Sequence, residues 1–448
     1  MIQMNKVLIL GSGMVAKPMV EYLLNNGFSV VIASPLKEKA DQMINGHPAG
    51  QSVDWSMDEP EMLEKLVSLN DIVVSLLPFQ FHVNIALICL NYRKPLVTTS
   101  YVQVEMQMLD DNAKKAGVIL LNEIGLDPGI DHMSAMRLID YIHDRGGKVE
   151  MFCSLGGALP APESADNPLK YKFTWSPKGV ISASTTSAVY LKKGEIIKIK
   201  SKDLFKNRFA YSLAGIDNLE VYPNRDSTTY IDVYGIPEAS TMYRGTIRYK
   251  GWCETLDAMN SLNMLERTIA DYKGKSYVDF IAERANLSTE NIKQNVAKKL
   301  YLEESSVPVT AFEWLGFFEN KIMNYREATP FDITSDAMIK KMILSDDERD
   351  MTMLQHIILA SYPDGKKEVI RSSMIDYGNH STNTSIARTV SLPAAIAVKL
   401  ILEKKITLQG VYRPTHPEIY NPVLDELHIL GIEMKEEYGL PESEMIKI

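Results

Sequence analysis

Lys6-Val-Leu-Ile-Leu10, followed by Gly11-Ser-Gly-Met-Val-Ala16, is the stretch that decides the fold of this 448-residue chain. A short apolar run, a glycine turn and a helix with apolar positions on one face make the first half of a βαβ unit. Gly11 permits the tight turn, and Gly13 lets the backbone approach a pyrophosphate at the helix N-terminus. We therefore expect a dinucleotide here, and the alternative is a glycine turn that binds nothing.

The alternation that begins at this turn continues to about residue 121. Ile72–Leu77 is apolar throughout, as a strand buried on both faces is. Strands separated by helices predict a doubly wound parallel sheet with right-handed crossovers. Six strands are predicted: Val7–Leu10, Val30–Ala33, Gln51–Trp55, Ile72–Leu77, Leu96–Thr99 and Val118–Leu121. The predicted fold class is therefore α/β, with a Rossmann-type parallel sheet in residues 1–130.

The sequence changes character after this region. Residues 131–253 are richer in Gly, Pro, Ser, Thr and Tyr and contain short strand-like runs, which predicts a mixed α/β domain for substrate. An alternating strand within about 361–387 rejoins that domain. Residues 254–360 have helical periodicity and few β-branched runs, which predicts a helical subdomain, and 406–448 form a C-terminal segment.

Composition argues against several classes of function. The formal net charge is −9 with no basic stripe, so we expect no nucleic-acid partner. No uninterrupted apolar run reaches the ~18 residues that a membrane span needs, and no signal-peptide pattern precedes the first strand, so we expect no membrane insertion or secretion. The 3 cysteines form no CxxC and the 8 histidines no HExxH, so we expect no metal site and a cytoplasmic location.

The end of the second predicted strand bears on the choice of cofactor. NAD enzymes usually place Asp or Glu there to bind the ribose hydroxyls. Ser34 and Pro35 occupy these positions instead. Ser34 is a candidate ligand for a 2′-phosphate, with Lys37 or Lys39 as the source of positive charge, although both lysines also suit a solvated helix face. We favour NADP and keep NAD as the alternative.

Several uncommon strings follow one another between residues 71 and 251. They are Ser75-Leu-Leu-Pro-Phe79, Thr98-Thr-Ser-Tyr101, Gly125-Leu-Asp-Pro-Gly-Ile-Asp-His132, Leu159-Pro-Ala-Pro-Glu163, Asn167-Pro-Leu-Lys-Tyr-Lys-Phe-Thr-Trp-Ser176, Tyr222-Pro-Asn-Arg-Asp-Ser227 and Arg244-Gly-Thr-Ile-Arg-Tyr-Lys-Gly251. In these strings the chain resembles the saccharopine reductases, the glutamate-forming saccharopine dehydrogenases of lysine metabolism. The same module forms the C-terminal half of aminoadipic semialdehyde synthase.

This resemblance implies a reaction and its ligands. The expected enzyme interconverts saccharopine with L-glutamate and 2-aminoadipate 6-semialdehyde by transferring a hydride between the nicotinamide and a C–N bond. The expected fold combines a variant Rossmann domain, a mixed α/β domain and a helical domain. The resemblance further implies that residues of about 388–405 return to the Rossmann domain. A homodimer is left open.

Saccharopine carries three carboxylates and an ammonium, so its site should offer guanidinium groups, hydroxyls and an acid. Arg225 is the best carboxylate ligand by analogy, with an Arg225–Asp226 structural pair as the alternative. Asp127 is expected to hold an ammonium or a proton, together with Tyr101. The predicted substrate-binding residues are Ser100, Tyr101, Asp127, Arg225 and Thr246, of which Asp127 and Tyr101 are the catalytic candidates. The predicted cofactor-binding residues are Gly11, Ser12, Gly13, Met14, Val15, Ser34, Leu76, Leu77, Pro78, Thr98, Leu126 and Trp175.

Two departures from the family pattern affect these expectations. Leu155 and Gly156 stand where the fungal and animal proteins have Tyr and Cys, which bears on substrate preference. Pro35 replaces a fungal arginine that would serve NADP, which weakens the preference for that cofactor. Two other functions are the alternatives: a related imine-reducing synthase of the carboxynorspermidine or homospermidine type, and an NADP-binding protein without catalytic activity.

Overall fold

The computed structural model describes residues 4–183, 185–379 and 383–448. Two compact units account for these residues. The first comprises Met1–Val149, Val233–Gly235 and Ala360–Leu440, and the second comprises Glu150–Asp232, Ile236–Leu359 and Pro441–Ile448. Each unit is therefore assembled from segments that are far apart in the sequence.

The secondary structure alternates first and then becomes mixed. The strands are β1 Lys6–Leu10, β2 Ser29–Ala33, β3 Gly50–Val53, β4 Ile72–Ser75, β5 Leu96–Thr98, β6 Ile119–Leu121, β7 Lys148–Pro160, β8 Ala188–Lys192, β9 Glu195–Ile199, β10 Phe209–Leu213, β11 Ile216–Pro223, β12 Thr241–Tyr249, β13 Asp350–Ser361, β14 Lys367–Tyr377, β15 Gly410–Tyr412 and β16 Lys435–Leu440. The α-helices are α1 Lys17–Asn25, α2 Lys37–Ile44, α3 Pro60–Leu69, α4 His82–Asn91, α5 Val104–Gln107, α6 Asp110–Ala116, α7 Ile130–His143, α8 Pro177–Ala183, α9 Tyr230–Tyr234, α10 Trp252–Ser261, α11 Tyr277–Ala285, α12 Ile292–Lys299, α13 Val307–Leu315, α14 Pro330–Met342, α15 Ser385–Leu402 and α16 Pro417–Ile429.

The first unit is built on a 7-stranded sheet with the order β15-β6-β5-β4-β1-β2-β3. Every neighbouring pair in this sheet is parallel. β1 and β4 are apolar and almost wholly buried, as expected for strands that helices cover on both faces. The predicted α/β fold with a Rossmann-type parallel sheet is confirmed.

The seventh strand of this sheet, β15, comes from the segment that sequence analysis left unassigned. Gly410–Tyr412 pairs in parallel with Ile119–Leu121 at the edge of the sheet. α15 packs against α1 in the same unit. By length and composition α15 could also cross a membrane, but 72% of it is buried inside the protein, as a core helix is. The Rossmann-type unit therefore uses much of the C-terminal third of the chain.

The second unit contains a mixed sheet together with helix α8 and helices α10 to α14. Its strands run in the order β10-β11-β12-β7-β13, and β8 pairs with β12 and with β9. β7 and β12 are parallel, whereas β11 and β12 are antiparallel. The helical stretch is shorter than the predicted 254–360, because Asp350–Ser361 forms a strand that is buried along nearly its whole length.

Candidate active site

The glycine turn between β1 and α1 has two glycines with different requirements. Gly11 has φ +105°, a conformation that glycine adopts without strain, and a Cβ there would lie 3.4 Å from Leu77 Cδ2. A Cβ on Gly13 would meet no protein atom within 4 Å. The backbone at Gly13 is therefore open to an approaching ligand, as a pyrophosphate site at a helix N-terminus requires. Met14 is exposed and Val15 half-buried beside this opening.

Ser34 does not lie at the surface as a phosphate ligand would. Its exposed fraction is 3% and that of Ser12 is 2%. The Ser12 hydroxyl donates to Ser34 Oγ at 2.8 Å, and the Leu36 N–H donates to the same oxygen at 3.1 Å. Ser34 thus ties the end of β2 to the glycine turn. Lys37 is exposed and pairs with Asp41 at 2.7 Å, one turn along α2.

All but one of the other predicted cofactor residues lie at the ends of β4, β5 and β6 or in the loops that follow them. Leu76 and Leu77 are half-buried, with Leu76 against Gly11, while Pro78 is exposed. Thr98 and Leu126 are buried, with exposed fractions of 1% and 8%. The carboxyl ends of these parallel strands share one edge of the sheet, where open α/β sheets bind ligands. Trp175 is half-buried in the second unit.

At the same edge Tyr101 and Asp127 form a direct contact. The Tyr101 phenol donates to Asp127 Oδ1 at 2.9 Å, although the residues lie on different loops, after β5 and β6. Asp127 is exposed and Tyr101 half-buried, so the pair is open to a ligand. A carboxylate can hold a substrate ammonium, and a phenol beside it can pass on a proton. The structure thus brings the two catalytic candidates together.

Glu123 holds the loop that carries Tyr101. Its N–H donates to the Ser100 carbonyl at 3.1 Å, and its Oε1 accepts from the Val102 N–H at 2.9 Å, so both neighbours of Tyr101 are fixed. The Arg413 guanidinium donates to Glu123 Oε1 at 2.9 Å, and His132 Nε2 lies 2.8 Å from Oε2. Glu123 therefore has a structural role in this loop.

Opposing effects act on the ionisation of Glu123. Burial is the largest single influence and acts to raise its pKa. His132, Arg413 and the Val102 N–H outweigh burial and hold this pKa below its ordinary value. Glu123 is therefore a carboxylate near neutral pH, which suits an acceptor that orders a loop through backbone N–H groups.

His82, a residue that sequence analysis missed, lies beneath Ser100. It has an exposed fraction of 2% at the start of α4. Its Nδ1 lies 3.0 Å from Ser75 Oγ, and its Nε2 lies 2.9 Å from Ser100 Oγ and 3.0 Å from Thr98 Oγ1. Burial lowers its pKa to about 4, so the ring is neutral near pH 7. The only sequence signal was its position three residues after the Ser75–Phe79 string.

The second unit carries Arg225 and Thr246. Arg225 is exposed, with φ +48°, in the turn that follows β11. Its neighbour Asp226 accepts from both the N–H and the hydroxyl of Thr228, at 2.9 and 2.6 Å. Asp226 Oδ1 is thus engaged by its own turn, and a structural Arg225–Asp226 pair stays the alternative to a substrate role for Arg225.

Thr246 lies inside β12, opposite Tyr222 of β11 and Gly156 of β7. β12 is paired with β11 and with β7 at this position, so the side-chain hydroxyl is the group of Thr246 that we consider as a substrate ligand. The half-buried Thr246 hydroxyl forms a hydrogen bond with the Tyr222 phenol, which acts to lower the pKa of that phenol. Burial has the larger effect and raises this pKa to about 12.

Leu155 and Gly156, two of the positions that depart from the family pattern, lie on opposite faces of β7. Leu155 is fully buried and packs where Gly245 leaves room, since a Cβ on Gly245 would come within 2.9 Å of Leu155 Cδ2. Gly156 lies opposite Thr246, on the same face as its hydroxyl. The missing family cysteine therefore changes the surface next to a predicted substrate residue, and the missing tyrosine changes only core packing.

Among the described residues, no group of three or more His, Cys, Asp or Glu side chains is arranged to hold a metal ion.

Comparison with known proteins gives one consistent family. Residues 7–121 match the model "Saccharopine dehydrogenase NADP binding domain", and residues 125–432 match "Saccharopine dehydrogenase C-terminal domain". The chain is 34% identical to the saccharopine dehydrogenase [NADP(+), L-glutamate-forming] of Schizosaccharomyces pombe, covering 97% of this chain and 99% of that protein. It is 34% identical to the mitochondrial alpha-aminoadipic semialdehyde synthase of Bos taurus, covering 95% of this chain but 47% of that protein.

A solved structure leads to the same family. The apo saccharopine dehydrogenase (L-Glu forming) of Saccharomyces cerevisiae is similar with a TM-score of 0.90 and 34% identity, covering 97% of this chain and 99% of that one. Both family models and full-length relatives thus agree with the motifs between Ser75 and Gly251. The chain belongs to the saccharopine dehydrogenase family.

Proposed function

We propose that this protein is an NADP-dependent, L-glutamate-forming saccharopine dehydrogenase. It interconverts saccharopine with L-glutamate and 2-aminoadipate 6-semialdehyde. The observation that carries the proposal is the contact between Tyr101 and Asp127, at the sheet edge that also holds the open Gly13 backbone. A catalyst that handles an amine and a nearby hydride needs a proton-handling pair at this edge, whereas a binding protein without activity does not.

The glycine turn is suited to a dinucleotide. Gly13 leaves the space that a pyrophosphate needs, and Leu76 and Leu77 form an apolar surface beside it. NADP, when bound, accepts or supplies the hydride. The protein has to hold and orient the reacting groups and exclude competing chemistry. The lack of Asp or Glu at positions 34 and 35 favours NADP over NAD.

Four of the five proposed substrate residues have roles that follow from their chemistry. The Asp127 carboxylate holds the positively charged nitrogen of saccharopine, and the Tyr101 phenol, already bonded to it, relays the proton that the nitrogen gains or loses. The Ser100 hydroxyl and the Arg225 guanidinium each bind a substrate carboxylate. Lysine would replace Arg225 only in part, because an ammonium cannot form the bidentate fork.

The proposal is tested by supplying the purified protein with saccharopine and NADP⁺. We expect NADPH to form together with L-glutamate in a one-to-one ratio, both identified by mass spectrometry. The control reaction contains diaminopropane, aspartate semialdehyde and NADPH. Turnover in the control but not with saccharopine would place the protein among the polyamine-type synthases, and cofactor binding without turnover in either would make it a binding protein.

A cytoplasmic location and a homodimer belong to this proposal as well. All three cysteines are free and buried, which suits a reducing compartment. Fractionation of cells that produce the protein and light scattering of the purified chain would test the two statements.

A further inference from the structure

His82 links three hydroxyl groups that follow or end two neighbouring strands. Ser75 is the last residue of β4, Thr98 is the last residue of β5, and Ser100 lies two residues further on. A neutral imidazole has one N–H donor and one acceptor nitrogen, so it can give these hydroxyls a fixed direction of hydrogen bonding. This differs from a histidine that fills space in an apolar core.

We propose that His82 is a positioning residue whose Nε2–H donates to Ser100 Oγ, so that the Ser100 hydroxyl hydrogen points to a substrate carboxylate. The inference rests on the proposed function, because it takes a carboxylate of saccharopine as the acceptor. It assigns to His82 a role in substrate affinity that acts through Ser100.

The direction follows from the chemistry of the groups. A carboxylate only accepts hydrogen bonds, so Ser100 must donate to it. If His82 Nε2 were the acceptor, the Ser100 hydroxyl hydrogen would be drawn toward the ring and away from a ligand. With the hydrogen on Nε2, the N–H faces both Ser100 Oγ at 2.9 Å and Thr98 Oγ1 at 3.0 Å, so both hydroxyl oxygens accept from the ring and Ser100 can donate outward. Nδ1 then accepts from the Ser75 hydroxyl, which lies 3.0 Å away.

The surroundings keep this arrangement fixed. His82 and Ser75 are almost fully buried, so water does not compete for their hydrogen bonds. The Ser100 N–H donates to Thr98 Oγ1 at 3.3 Å, which holds the loop backbone against the same cluster. Because burial keeps the ring neutral, it carries a single N–H, and the position of that hydrogen decides what Ser100 can do.

The first test reads the tautomer without any activity measurement. Protein labelled with ¹⁵N-histidine distinguishes a protonated from an unprotonated nitrogen at each ring position, and the signals of His82 are those lost in His82→Gln. We expect hydrogen on Nε2 and none on Nδ1 at pH 7. Hydrogen on Nδ1 would overturn the inference whatever the variants show.

The second test compares substitutions that keep one or the other nitrogen position. The Gln amide reaches the place of Nε2 and can donate to Ser100, whereas the Asn amide reaches only the place of Nδ1. We expect His82→Asn to raise the KM for saccharopine about 10- to 100-fold, because the Ser100 hydroxyl loses its hydrogen bond to the charged substrate carboxylate. The affinity for NADP should stay within about twofold of the wild-type value. His82→Gln should recover most of this loss.

A double-mutant cycle shows whether the effect passes through Ser100. Ser100→Ala alone should raise the KM for saccharopine to a similar extent, and adding His82→Asn should cost little more. His47→Gln is the matched control, because the His47 ring accepts from the Ala49 N–H at 3.2 Å and has no part in the proposed substrate site. Additive effects of the two substitutions would overturn the inference.

Failure of this inference and failure of the proposed function give different results. If the wild-type protein does not turn over saccharopine, the proposed function fails. If the wild-type protein is active and His82→Asn has the same KM, only the role of His82 is refuted. Thermal unfolding of each variant shows whether it is folded, and the tautomer of the wild-type protein does not depend on any variant.

Discussion

Adding one methyl group at Gly13 should weaken NADPH binding while the fold stays intact. A Cβ at this position meets no protein atom within 4 Å, and its φ lies outside the left-handed range, so alanine fits the folded chain. Replacing glycine by alanine at such a position stabilises proteins by about 0.4–1 kcal/mol, because the unfolded chain loses freedom. We therefore expect Gly13→Ala to be at least as stable as the wild-type protein.

The cost of this methyl group falls on the ligand. Forcing an extra methyl group into a packed contact costs typically about 1–3 kcal/mol, which corresponds to a Kd for NADPH raised about 5- to 150-fold. Gly11→Ala should give the opposite pattern. With φ +105°, alanine there is strained by about 1–3 kcal/mol, which should appear as lost stability.

Two measurements separate these effects. Fluorescence titration with NADPH gives the Kd, and urea denaturation gives the free energy of unfolding, for both variants and for the wild-type protein. The reasoning is refuted if Gly13→Ala binds NADPH as tightly as the wild-type protein, or if Gly13→Ala loses more stability than Gly11→Ala.

Three further predictions concern substrate, cofactor and pH. Arg225→Ala should lower kcat/KM for saccharopine about 10- to 150-fold, because a hydrogen bond between charged groups is lost. Arg225→Lys should restore part of this loss, and the Kd for NADPH should not change. A near-normal kcat/KM in Arg225→Ala would show that Arg225 is structural. The protein should prefer NADP over NAD in kcat/KM, and a tenfold preference for NAD would contradict the inference drawn from Ser34 and Pro35. Between about pH 6.5 and 4 the unfolded chain binds a proton at His82 that the folded protein does not, so the free energy of unfolding should fall as the pH falls, by at most ~1.4 kcal/mol per pH unit from this group. Urea denaturation across this range should show a weaker pH dependence in His82→Gln, and equal slopes would contradict the buried, neutral ring.

The parts of the fold that sequence reasoning reached are those that local patterns determine. The Gly11–Ala16 turn stands between an apolar run and an amphipathic helix, so its place after the first strand could be predicted from about 20 residues. β13 was missed for the opposite reason. It is buried along nearly its whole length, so its sequence does not alternate and could not be distinguished from a helix by periodicity.

β15 was missed because it is only three residues long and pairs with a strand almost 300 positions earlier in the chain. The same limit applies to the site. Tyr101 and Asp127 could be chosen from motifs and strand ends, but their 2.9 Å contact depends on how two loops pack. Glu123 and Arg413 are 290 residues apart, and no local pattern indicates their pairing. Such contacts follow from tertiary packing, and only the structure contains them.

The most direct test of the proposed function is to follow the hydride itself. The purified protein is given L-glutamate, 2-aminoadipate 6-semialdehyde and NADPH carrying deuterium at one or the other hydrogen of the nicotinamide C4. We expect saccharopine that carries one deuterium when one of the two labelled cofactors is used and none when the other is used. The proposed hydride transfer would be contradicted if saccharopine carried no deuterium with either labelled cofactor. It would also be contradicted if no saccharopine formed although NADPH still bound.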